Sequence, residues 1–140
     1  MRASDPCRAR RAAWLALLFL SMVLHLANLG GRSLHHDESI HAKLSFDLAT
    51  RGAYHYDPTY HGPLLYYLTA VTFLVHDSDF TARLPIAFAG VALLWVAWRL
   101  RRPFGDRAAW WTGLLLTVSP LYLFFGRVLR QDLLELLTAS

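Results

Sequence analysis

The sequence predicts an all-α integral membrane protein, with about three transmembrane helices and two helices lying in the outer interface. Three observations carry this. The chain of 140 residues is 55% hydrophobic with a mean hydropathy of +0.30. Its apolar residues come in long blocks, without the polar punctuation of a soluble domain. Its arginines cluster at the ends of those blocks, which the positive-inside rule explains better than nucleic-acid binding does. The net charge is +4, and the single cysteine, Cys7, excludes both an internal disulfide framework and a cysteine-based zinc site.

Residues 1–11 hold Arg2, Arg8, Arg10 and Arg11 and read as a cytoplasmic tail. Residues 12–30 form the first apolar block, broken by His25 and Asn28; as a helix it is ~28 Å long, close to the ~30 Å hydrocarbon core. No small-x-small site follows it, so a retained anchor is favoured over a cleaved signal peptide. Residues 31–81 are expected outside. Within them 38–51 read as an amphipathic helix, with Ile40, Leu44 and Leu48 on one face, Asp37 as N-cap and Gly52 as C′ residue. A Tyr/His/Pro loop follows. A second interfacial helix is expected over 62–76, whose apolar block, Leu64 to Val75, has only 12 residues, too few to span. Spans are then expected at 82–100, bounded by snorkelling Arg83 and Arg99, and at 107–125. Residues 101–106 complete a basic cytoplasmic loop. The 126–140 stretch returns outside and opens what reads as a further helix cut short, so a piece of a longer protein is expected.

This topology follows from charge. The basic N-terminus and the 99–107 loop both belong inside, so an even number of crossings separates them, and the shortest of the three blocks between them does not cross. Two polar motifs then share the outer side: Asp37-Glu38, and Arg127, Arg130 and Asp132. Charge beside a bilayer is costly and marks function. One carboxylate of the first pair could act as base while the other orients a neighbour; helix capping is the competing role. Partial burial at the interface would raise a carboxylate pKa. The arginines suit a phosphate clamp or simple interfacial anchoring, and His61 could be a further phosphate donor. His35, His36, His41, His55 and His61 leave a loose divalent-cation site open. The H-E-x-x-H pattern is not met, because Asp37 stands where its first His belongs.

In order along the chain come Asp37-Glu38, His61-Gly62-Pro63-Leu64-Leu65-Tyr66-Tyr67, Ser78-Asp79-Phe80-Thr81-Ala82-Arg83-Leu84-Pro85, Arg102-Pro103-Phe104-Gly105, Ser119-Pro120 and Gly126-Arg127-Val128-Leu129-Arg130-Gln131-Asp132. This order resembles the N-terminal region of GT-C membrane glycosyltransferases. The similarity is to the protein-mannosyltransferase and aminoarabinose-transferase-like enzymes, and within them to the flippase-activity-associated branch. Gly62-Pro63 replaces a more usual Pro-Pro, and Gly126-Arg127 a Ser-Arg; neither change removes a charge. The resemblance implies a partial GT-C fold, and transfer of a sugar from a polyprenyl-phosphate carrier to a protein or glycan acceptor outside the cytoplasm. It implies Asp37 at the acceptor hydroxyl, Glu38 completing the acidic pair, His61 near the carrier phosphate, and Arg127, Arg130 and Asp132 as the second motif. No cofactor is fixed beyond a possible divalent cation, and no nucleic-acid partner is expected. A multi-pass cell-membrane location with a cytoplasmic N-terminus goes with this. The alternative is a non-catalytic membrane subunit or flippase accessory.

Overall fold

The structure is a computed structural model that describes residues 6–54 and 63–139. Eight helices occur among them: α1 (Pro6–Leu26), α2 (His36–Arg51), α3 (Leu64–Phe73), α4 (Asp79–Arg99), α5 (Arg101–Phe104), α6 (Asp106–Val118), α7 (Pro120–Phe125) and α8 (Asp132–Ala139). No strand is present among the described residues. Among the described residues two helical stretches are long and apolar enough to cross a bilayer: Arg8–Leu26, with mean hydropathy 1.4, and Asp79–Phe104, with 1.7. Leu15, Phe19, Phe88, Trp95, Trp111 and Leu115 stand exposed along α1, α4 and α6, where water would be a poor solvent and hydrocarbon a good one.

The central helix is α4, which packs against α1, α3, α6 and α8. Small residues let its neighbours approach: Ala82, Ala87, Ala89, Gly90 and Ala97 are all buried. One apolar cluster joins α4 to α2, α3 and α8 through Ala42, Leu65, Ile86 and Leu133, with Leu129 from the segment before α8. A second joins it to α1 and α6 through Trp14, Leu17, Leu94 and Ala109. A Cβ at Gly90 would lie 2.6 Å from the His25 ring and one at Gly126 2.5 Å, so the imidazole needs both glycines.

Local chemistry sets the helix ends. Ser78 caps α4: its hydroxyl accepts from Thr81 N–H at 3.2 Å, and Thr81 Oγ1 accepts from Ser78 N–H at 3.1 Å. Pro85 inside α4 deprives the Thr81 carbonyl of its helical N–H. Thr72 Oγ1, from the last turn of α3, lies 2.8 Å from that carbonyl oxygen. Pro120 acts differently. Ser119 is extended (ψ 118°) and its hydroxyl accepts from Tyr122 N–H at 3.3 Å, so the 107–125 stretch is two helices, α6 and α7, where one continuous span is expected from the sequence. The cap of α2 also departs from expectation. His35, not Asp37, holds the N-cap position, and Glu38 at N3 reaches back to accept from His35 N–H at 3.0 Å. Gly52 ends α2 in the left-handed region, φ 62°, as its type allows.

Candidate active site

The first two turns of α4 carry Arg83, whose side chain is only 1% exposed. The sequence suggests that it snorkels, but the apolar packing on α4 carries it inward, where it meets Glu38, 0% exposed, at the start of α2. The two form a bidentate pair, Nε to Oε1 at 2.9 Å and Nη2 to Oε2 at 3.0 Å. The remaining guanidinium protons go to the carbonyls of Leu29 (2.9 Å), Arg32 (2.8 Å) and Ser33 (3.2 Å). Glu38 also accepts from the backbone N–H of His35 and, at 2.8 Å, from that of Leu129, while Arg32 Nη2 lies 3.3 Å from Oε2. One buried ion pair thus ties the end of α1, the start of α2, the start of α4 and the segment before α8 into one knot.

Electrostatics here run against the expected rise in carboxylate pKa. Burial pushes the Glu38 carboxyl up, but the hydrogen bonds from Arg83, His35 and Leu129 and the Arg83 charge outweigh it and hold the group at about 2. Glu38 is therefore ionised, and its lone pairs are occupied by five donors. Asp37, one position earlier, points about 100° away on the helix, is exposed, and forms no ion pair with another described residue.

Beside the knot lies a recess of about 350 Å³, bordered by Asn28, Arg32, Arg83, Leu123, Phe124 and Arg127. Arg127 is aimed there by the carbonyls of Ala27 (2.5 Å) and Asn28 (3.3 Å), which hold the guanidinium without neutralising it. Three guanidiniums border the recess, and Glu38 pairs with two of them, Arg83 and Arg32, leaving the recess with excess positive charge next to an apolar wall. Such a recess favours an amphiphilic anion.

The members of the second sequence motif do not converge. Arg127 borders the recess, whereas Arg130 pairs with Asp132 at 3.1 Å, both half exposed. His61 and His55 lie outside the described residues. His41 is buried in α2, with Nδ1 3.0 Å from Tyr66 Oη. Among the described residues no three His, Cys, Asp or Glu side chains gather in a way that would hold a metal ion. Sequence reasoning passed over Arg32 and gave Arg83 only an anchoring role. Arg83 carried a signal in hindsight: a guanidinium in an apolar helix, in a chain with an acidic pair close to another apolar block.

The comparisons now bear on this geometry. No curated protein matches the chain. No solved structure matches it either. The family model of the dolichyl-phosphate-mannose-protein mannosyltransferases matches residues 60–140, which include Arg83, Arg127, Leu129 and the α7 wall of the recess. With more than half of its length matched, and with two helices fit to cross a bilayer, the chain belongs to that family and is a membrane glycosyltransferase of the GT-C type.

Proposed function

We propose that the chain takes part in transferring a sugar from a polyprenyl-phosphate carrier to a protein or glycan acceptor on the extracytoplasmic side. Arg127 and Arg32 bind the carrier phosphate in the basic recess, with the prenyl chain along Leu123 and Phe124. As the glycosidic bond breaks, charge grows on the leaving phosphate, and fixed guanidiniums stabilise it. Asp37 accepts the proton of the acceptor hydroxyl, its carboxylate being the member of the pair that forms no ion pair among the described residues. Glu38 and Arg83 are positioning residues: they fix the first loop against the 127–132 segment. His61 supplies a further donor to the phosphate, and Arg130 with Asp132 shapes the rim.

The same reading makes the chain multi-pass with its N-terminus in the cytoplasm, and lays α3 along the interface. Support comes from its ten residues, ~15 Å as a helix, and from the apolar face it leaves exposed at Leu64, Tyr67 and Val71. The observation that carries the proposal is the recess itself, with two arginines that no carboxylate fully neutralises beside an apolar wall. The test is Arg127→Gln in a transfer assay with a synthetic polyprenyl-phosphate sugar. Removing a guanidinium that binds phosphate in both ground and transition states should raise KM for the carrier roughly 10-fold or more. An unchanged KM would reject the site.

A further inference from the structure

A second recess lies near the other end of α4, about 22 Å along its axis from Arg83. It is a groove of about 440 Å³ between α1 and α4, lined by Arg11, Trp14, Leu18, Trp95, Trp98 and Arg101, with Leu15 at its side. The proposed chemistry does not use it. Arg101 stacks on the Trp98 ring at 4.2 Å, and Arg99 on Trp95 at 5.3 Å. Among the described residues no carboxylate lines the groove; Asp106 is already paired with Arg10. Among the described residues neither Arg11 nor Arg101 has an ion-pair partner. Leu15, 66% exposed, and Trp95, 50% exposed, lie on the two helices that can cross a bilayer.

We infer that this groove binds one anionic phospholipid. Its phosphate sits between Arg11 and Arg101 at headgroup depth, and its acyl chain runs along Leu15, Leu18 and Trp95. Charge complementarity at the rim calls for an anion, and the apolar floor calls for one that carries a hydrocarbon tail. Tryptophans at such a depth are amphipathic and suit the boundary between headgroup and chain. The inference does not depend on which chemistry the other recess performs.

The test uses the full chain in phosphatidylcholine vesicles and its tryptophan emission, since Trp14, Trp95 and Trp98 are three of the five tryptophans. Brominated phosphatidylglycerol should reach half-quenching at a roughly tenfold lower mole fraction than brominated phosphatidylcholine. The R11Q/R101Q variant should bring the two curves together, and Arg51→Gln, outside the groove, should leave them apart. Coincident curves for the unaltered protein, or a preference that survives R11Q/R101Q, would overturn the inference. So would displacement of the quenching lipid by millimolar inorganic phosphate, which would mark a soluble-anion site. If the double variant loses its helical far-UV signal, a salt series on the unaltered protein decides. The preference should shrink as ionic strength rises, and indifference to salt would overturn it.

Discussion

Replacing Glu38 with glutamine removes one charge and almost no volume, which makes it the sharpest probe of the buried knot. Arg83 would stay 1% exposed with no counter-charge. The new amide can accept on one side only, so its NH2 group would face either the N–H donors of Arg83 Nη2, His35 and Arg32 or those of Arg83 Nε and Leu129. Breaking a buried pair in this way costs ~3–5 kcal/mol. Proton linkage gives a similar figure. The Glu38 carboxyl falls from 4.5 to about 2 on folding, and at ~1.36 kcal/mol per unit that shift is worth about 3 kcal/mol. Because the folded value is the lower one, this stability is fully present above pH ~4.5 and is lost as pH falls toward 2. Thermal unfolding in detergent, followed by circular dichroism, should show E38Q melting roughly 10 °C lower at pH 7. The gap should close as the pH of both samples is lowered from 5 toward 2. If E38Q keeps the unaltered melting temperature while transfer is abolished, Glu38 is a reacting carboxylate and the structural account of the pair fails.

Gly90→Ala puts a methyl group 2.6 Å from the buried His25 ring and should cost ~1–3 kcal/mol. G90A/H25A should recover part of that loss in a double-mutant cycle, and strict additivity would refute the contact. For topology, Cys7 is first replaced by serine and single cysteines are placed at 37, 104 and 132. A membrane-impermeant maleimide should reach 37 and 132 from one side and 104 from the other; labelling of 37 and 104 from one compartment would contradict the proposed arrangement.

The helical character of the chain was legible because apolar blocks of bilayer length leave little else possible. The two internal prolines show where such reading stops. Pro85 and Pro120 look alike in sequence, yet α4 continues through the first, where Thr72 sits beside the freed carbonyl, and the 107–125 stretch breaks at the second, where Ser119 caps a new helix. Neither outcome is local. The acidic pair was legible as a site candidate, but not which member turns inward. That depends on Arg83, 45 residues away, and on the Leu129 amide, 91 residues away. Loop residues such as Arg32 offer no period to read. Arg127 could be singled out from its place after an apolar block, but its separation from Arg130 could not, because it depends on the carbonyls at the end of α1.

The division of labour within the acidic pair is the center of the account, and Asp37→Asn tests it most directly. The side chain is exposed and forms no ion pair among the described residues, so the melting temperature should not move. Sugar transfer from a polyprenyl-phosphate donor should fall by ~10²–10⁴ with carrier binding intact, the range expected when a general base is removed. A D37N protein that folds, binds the carrier and transfers sugar at the unaltered rate would contradict it.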